Sequence, residues 1–383
     1  MTKPHALSSN AFTFDPDWID NLGDRQLVYF LLNVGDADAQ VLVLPPHSET
    51  GSRRVIVVDA GVERKVPELL LTLAARGVLP HGDHPDSLAS DAIAAVVATH
   101  PHFDHIAGMP ELFRMFGPAI AEFWDPGYYH PSSAYHETMA EIAAQAQVVY
   151  MQPTSGLRRW FDNVDVTVLA PAIGLRNRFD SYGVEINNAS LLLRIEYPAS
   201  RVVTRDDQTR ELIGSKRSAV LILGADAQTD SWAFVANDFP YLPPLTDPAN
   251  KAIRAATGSD ALRGAVLKIS HHGSKHGVNL ELVERVNPRF TLISSVGGAG
   301  KYNFPHSVAQ NLIREALQPD DGEGTAKVCS DFDLGIQYTS DTDDNGDVLG
   351  SIAMVLTPSK RTVYRLGDNP QDAIDFTHSR RMS

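Results

Sequence analysis

Ala92-Ile93-Ala94-Ala95-Val96-Val97-Ala98-Thr99-His100-Pro101-His102-Phe103-Asp104-His105 joins an unbroken apolar run to three histidines and a carboxylate. The run reads as a buried strand, and the ligands follow where α/β folds place their chemistry, at the carboxyl end. In an extended loop His100 and His102 point the same way and suit one ion, while the adjacent Asp104 and His105 diverge toward a second position. Imidazole with carboxylate suits zinc, with manganese and iron as alternatives.

Three further stretches share this form of apolar strand followed by polar residues. Upstream is Val55-Ile56-Val57-Val58-Asp59-Ala60-Gly61. Downstream are Val220-Leu221-Ile222-Leu223-Gly224-Ala225-Asp226-Ala227 and Leu267-Lys268-Ile269-Ser270-His271-His272-Gly273-Ser274. Taken in order, these motifs resemble the metallo-β-lactamase superfamily. The resemblance implies an orienting aspartate at Asp59, a metal-bridging aspartate at Asp226 and a last histidine motif at His271-His272. It also implies a four-layer αββα sandwich, which periodicity alone does not separate from a doubly wound sheet.

Within the superfamily the sequence is similar to the soluble hydrolase domain of the competence DNA-uptake channel protein and its stand-alone relatives. Phe30-Leu31-Leu32-Asn33-Val34-Gly35-Asp36-Ala37-Asp38-Ala39, Asn187-Asn188-Ala189-Ser190-Leu191, His271-His272-Gly273-Ser274 and Ser294-Ser295-Val296-Gly297 with Tyr302-Asn303-Phe304-Pro305-His306 carry the likeness. It runs from about residue 28 to about residue 357. Relatives usually carry Gly-Gln-Gly-Asp where this chain has Gly35-Asp36-Ala37-Asp38, and His-Pro where it has Phe304-Pro305. The histidine that many members supply between the histidine cluster and the bridging aspartate is absent, with Asn187 and Asn188 in that region.

The 383 residues accommodate two average domains or one layered domain with insertions. The reading adopted is a hydrolase domain over 27–366, an N-terminal extension over 1–26 that packs on it, and a C-terminal tail over 367–383. No apolar stretch approaches bilayer length, and residues 1–26 lack the pattern of a secretory signal, so a cytoplasmic protein that does not bind membranes is expected. The single cysteine, Cys329, excludes an intrachain disulfide and reads as a buried structural thiol. A net charge of −14 argues against a large non-specific nucleic-acid footprint.

Along the chain, Leu27 to Leu32 and Gln40 to Leu44 read as a hairpin-like start. Leu69, Leu70, Leu73 and Ala74 stand at helical spacing between Pro67 and the stop Gly77. Further helices are predicted over 109–116, 133–148 and 307–317, and strands over 119–124, 164–169, 191–197, 219–223, 265–269 and 290–294. The segment 201–216 suits a solvated hairpin tip. The proline-rich stretch from Phe239 to Asp260 reads as an irregular insertion beside the site, a candidate lid, and Asp344-Asn345-Gly346-Asp347 as a hairpin turn.

From ligand types, one ion takes His100, His102 and Asp226. The other takes Asp104, His105, Asp226 and one of His271 or His272, the remaining histidine serving as support or as a leaving-group residue. A metal lowers the pKa of bound water from about 15.7 toward about 7, so hydroxide is the expected attacking group. Asp59 and Asn188 are read as residues that support the ligands, Asp59 by fixing a histidine tautomer. His306 is read either as a proton donor to the reaction or as a helix cap. Ser274, Lys275 and Tyr302 are candidates for contacts to substrate oxygens, His276 is read as a loop histidine, and Lys268 as an edge or solvated charge.

The function expected is a hydrolase with two divalent ions, acting on phosphodiesters as small anions or short oligonucleotides. No partner protein is inferred. The alternatives are a lactone, thioester or amide hydrolase of the same fold, and a non-catalytic metal-binding scaffold.

Overall fold

Leu27, Tyr29 and Leu31 of the strand Leu27–Leu31 face one apolar core while Val28 and Phe30 face another, the alternation that a pleated strand imposes. The same split divides Ile56 and Val58 from Val55 and Val57, and Leu221 and Leu223 from Val220 and Ile222. Strands covered on both faces have no side left for polar residues, which is why they read as continuous apolar runs. The computed structural model describes residues 6–84, 86–176, 186–199, 201–204, 210–213, 218–241, 260–298, 300–318 and 329–382.

The described strands form two large sheets of ten and seven strands. In the larger, the order across the sheet is Phe12–Phe14, Arg380–Met382, Arg361–Arg365, Ile352–Leu356, Leu27–Leu31, Ala39–Val43, Val55–Ala60, Ile93–Val97, Glu122–Trp124 and Val149–Met151. It is antiparallel as far as Val55–Ala60 and parallel beyond. The smaller sheet has the same plan, with Arg158–Phe161, Val164–Ala170, Leu192–Tyr197 and Ala219–Leu223 antiparallel, then Val266–Lys268, Phe290–Ile293 and Ile336–Tyr338 added in parallel.

Three cores separate four layers. Helices Lys65–Ala75 and Met109–Phe116 bury Leu69, Leu73, Leu112 and Phe113 against the outer face of the larger sheet. A middle core built around Tyr29, Met354, Leu193 and Leu221 lies between the sheets. Helices Thr229–Asp238, Leu280–Val286 and Ser307–Leu317 cover the smaller sheet through Trp232, Val283 and Ile313. This is the four-layer αββα sandwich expected from the sequence.

Some local expectations change. The helix from Ser133 ends at Ala143 rather than 148, because Val149–Met151 leaves it to pair in parallel with Glu122–Trp124 at the sheet edge. Phe12–Phe14 pairs with Arg380–Met382, and Trp18 stacks on Tyr364 at 4.2 Å, so the two ends of the chain share one sheet edge and one core. The segment 201–216 holds an antiparallel pair, Arg201–Thr204 with Arg210–Ile213. Most of the stretch read as a lid, 242–259, lies outside the described residues.

Candidate metal centre

The carboxyl ends of four parallel strands meet at one edge of the sandwich. Asp59 ends one strand, Thr99 and His100 follow Ile93–Val97, Asp226 follows Ala219–Leu223, and His271 and His272 follow Val266–Lys268. Two glycines let these loops close together. A Cβ on Gly61 would strike the carbonyl of Asp104, and one on Gly224 would strike Ser270 Oγ.

Asp226 is 1% exposed and divides the cluster between its two oxygens. Around Oδ2 stand His271 Nε2 at 3.6 Å and His100 Nε2 at 3.9 Å, with His102 Nδ1 3.1 Å from His100 Nε2. Around Oδ1 stand His105 Nε2 at 3.3 Å and His272 Nε2 at 3.8 Å, and Asp104 Oδ2 lies 3.7 Å from His272 Nε2. Asp104, His105, Asp226 and His272 each present one ligand atom within 4.8 Å of the others.

Both members of the His271-His272 pair therefore reach Asp226, one at each oxygen. Adjacent residues on a strand would diverge, which was the basis of the either-or expectation. Here both are left-handed, at φ 51° and 53°, within the turn Ser270–Gly273, and this turns both rings inward. His271 thereby supplies a third imidazole beside His100 and His102. Of the two asparagines in the region of the absent middle histidine, Asn188 Oδ1 accepts the Ser231 N–H at 3.3 Å, bracing the helix Thr229–Asp238 rather than a histidine of the cluster.

Asp59 is fully buried and accepts from His105 Nδ1 at 2.7 Å, Thr99 Oγ1 at 2.7 Å and Thr99 N at 2.8 Å. The proton this fixes on Nδ1 leaves the Nε2 lone pair of His105 facing Asp226. His272 is held likewise, its Nδ1 facing the Ser294 carbonyl at 3.1 Å. Burial disfavours a charged His105, but the carboxylates of Asp226, Asp59 and Asp104 outweigh it and hold its pKa well above the ordinary value. Burial also opposes charge on Asp226, and there His105, then His272 and His271, dominate and hold it well below the carboxylate range. At His100, burial and then His105 lower the pKa well below normal, leaving a neutral imidazole.

These residues fit divalent ions. His105 Nε2, Asp226 Oδ1 and His272 Nε2 are buried, make no well-aligned hydrogen bond among the described residues and lie within 4.8 Å of one another. Such atoms are costly to bury unless something binds them. The carboxylates of Asp38, Asp59, Asp104 and Asp226 crowd this edge against one buried ammonium, Lys268.

That ammonium corrects an expectation and adds two residues. Lys268 is 0% exposed, not solvated, and pairs with Asp38, also 0% exposed. Asp38 also donates its N–H to the Asp104 carbonyl at 3.0 Å and places Oδ1 3.8 Å from His272 Nδ1. The lysine's place two residues before the histidine turn is the available signal, but an isolated strand does not show which face is covered.

The remaining candidates lie around the cluster. His306 begins the helix Ser307–Leu317, where its Nδ1 accepts the Val308 N–H at 3.2 Å, and its backbone N–H donates to the Gly273 carbonyl at 2.9 Å, at the end of the turn that carries His271 and His272. Ser274 Oγ accepts the His276 N–H. Phe304 packs on both His271 and His272, at 5.3 and 5.7 Å between ring centroids, and exposed Tyr302 stacks on Phe304 at 5.7 Å. Cys329 is half-buried beside the outer core of the smaller sheet.

Residues 49–204 match the family model of the metallo-β-lactamase superfamily. The match takes in Asp59 and the run from His100 to His105. Among solved structures, the chain is similar to the metallo-β-lactamase fold protein YhfI from Bacillus subtilis, at 11% identity and a TM-score of 0.38 over 82% of this chain and 96% of that one. It is similar to a diphosphatase from the PhnP family at 12% identity and a TM-score of 0.35, covering 83% and 96% of the two chains. A long form RNase Z from yeast matches at 9% identity and a TM-score of 0.33, covering 71% of this chain and 38% of that one. No curated protein matches the chain. No helix among the described residues is long and apolar enough to cross a membrane.

Proposed function

We propose that this chain is a two-metal hydrolase of phosphodiesters, acting on small anionic esters or short oligonucleotide ends, in the branch represented by the soluble hydrolase domain of the competence DNA-uptake channel protein. The observation that carries the reading is the division of histidines between the two oxygens of Asp226, with three of these atoms buried and without a well-aligned hydrogen bond among the described residues. His100, His102 and His271 would hold one ion, Asp104, His105 and His272 the other, and Asp226 both. Zinc is the proposed ion, with manganese and iron as alternatives, and the single cysteine suits a reducing, cytoplasmic setting.

Bound divalent ions supply hydroxide at neutral pH and electrostatic stabilisation of an anionic ester. The chain's residues do the rest. Asp59 and the Ser294 carbonyl fix the tautomers of His105 and His272, and Asp38 with Lys268 backs the second histidine. The aromatic wall of Phe304 and Tyr302, with Lys301 Nζ 4.9 Å over the Tyr302 ring, suits a substrate that carries a ring beside its phosphate.

Elemental analysis joined to hydrolysis of bis-nitrophenyl phosphate and a short oligonucleotide tests the reading. Turnover that chelation stops and Zn²⁺ or Mn²⁺ restores is expected. Metal-loaded protein that cleaves lactones, thioesters or amides and leaves both phosphodiesters untouched would replace it with the other hydrolase class.

A further inference from the structure

Far from the histidine cluster, a cavity of about 680 Å³ is lined by Arg289, Lys360, Arg361 and Arg381, with Phe290 and Phe332 among its apolar walls. Four cationic residues line this one space in a chain of net charge −14, with Arg289, Lys360 and Arg381 exposed and Arg361 half-buried. None of the four forms an ion pair among the described residues. Arg361 donates Nη2 to the Ser218 carbonyl at 3.0 Å, but its Nε is buried without a partner. Arg289 lies over the Phe290 ring at 5.6 Å. Asp333, the acid in the lining, accepts from Ser330. Burial, then the nearby Arg289, lower the Arg361 pKa, a sign that like charges are held together there.

A second cavity, of about 310 Å³, shows how cations are ordinarily treated in this fold. There Arg53 donates to the carbonyls of Gln26, Leu44 and Gly23, and Arg76 pairs with Asp20 at 2.6 Å. Among the described residues, the cations of the larger cavity have no carboxylate partner, and Arg361 alone of the four donates its side chain to a carbonyl, that of Ser218. Its position also separates it from the metal centre. Phe290 begins a strand of 4 residues whose other end leads to Ser294, the residue that holds His272. At a rise of about 3.3 Å per residue, the strand spans roughly 13 Å.

We propose that this cavity binds a small phosphorylated ligand with an aromatic body, of the nucleoside diphosphate class. Guanidinium groups match phosphate oxygens two at a time, and a cluster of them gains most where protein carboxylates do not compete. The phenyl walls give the body of the ligand an apolar surface. Neither contribution involves the histidine cluster, so the site stands whatever reaction that cluster performs.

Titration calorimetry on the metal-loaded full chain, with ADP and with inorganic phosphate as probes, tests this. ADP is expected to bind more tightly than phosphate, and Arg289→Glu and Arg361→Gln each to weaken it about tenfold or more. Arg289 is exposed, so Arg289→Glu should keep the wild-type melting temperature and serves if Arg361→Gln fails to fold. Asp226→Ala, or chelation, should leave the ADP affinity unchanged. ADP binding that disappears with Asp226→Ala but survives Arg289→Glu would assign the ligand to the metal centre and overturn the proposal. Equal affinity for phosphate and ADP would overturn the ligand class, and no binding of either probe would overturn the site.

Discussion

At the residue scale, the centre depends on groups that stand behind the candidate ligands. Lys268 and Asp38 are both fully buried, and removing one partner of such a pair leaves an uncompensated charge. Lys268→Met should therefore cost about 3–5 kcal/mol of stability, and the double variant Asp38→Asn/Lys268→Met should recover much of it. Denaturant unfolding of the two variants checks this, and equal losses in both would show that the pair's charge is not what matters. Asp59→Asn makes a different prediction. It keeps the shape of the group that receives His105 Nδ1 and Thr99 but removes its charge, so metal affinity is expected to fall about 10–100-fold with the fold intact. Competition with a chelator of known affinity measures it. Much of this layer was legible in sequence, because His100 to His105, Asp226 and His271-His272 fall in short motifs. The Lys268–Asp38 pair was not, since its members lie 230 residues apart, Asp38 just before the strand Ala39–Val43 and Lys268 at the end of Val266–Lys268.

At the element scale, the strands were legible because burial on both faces writes them as apolar runs, and the helix Met109–Phe116 because its caps and spacing are local. Edge pairing was not. Phe12–Phe14 and Val149–Met151 are strands only because a distant neighbour offers unpaired backbone groups, and neither carries a strong pattern of its own. The turn at His271 is not legible for a related reason: two successive left-handed residues other than glycine are imposed by tertiary contacts, not by propensity. The junction at Gly61 is a test at this scale. Its missing Cβ gives room to the Asp104 carbonyl and the Ala37 side chain, so Gly61→Ala must push the metal loop off the strand end. A loss of about 1–3 kcal/mol, with reduced metal content, is expected. Gly174→Ala, where a Cβ meets nothing within 4 Å, is the control, and matching melting temperatures for the two variants would rule out the steric account.

At the scale of the whole molecule, the field of the chain and the field of the site have opposite effects on an anionic substrate. The net charge of −14 repels a polyanion over its full length, but beyond a Debye length of about 8 Å at physiological ionic strength that repulsion is screened. A short diester seated at Asp226 experiences chiefly the local centre, where metal ions would reverse the negative sign set by the carboxylates. A long duplex has most of its phosphates against the acidic surface instead. The expected outcome is that bis-nitrophenyl phosphate and short oligonucleotides are cleaved with a KM that changes little with salt. Cleavage of long duplex DNA should be poor at low salt and improve as salt rises, opposite to the usual weakening of a basic nucleic-acid-binding protein by salt. Steady-state kinetics across a salt series, with both substrates and the same metal loading, decides it. If long duplex is the better substrate at low salt and loses ground as salt rises, an attractive surface guides it to the site, and the preference for short substrates argued from net charge is wrong.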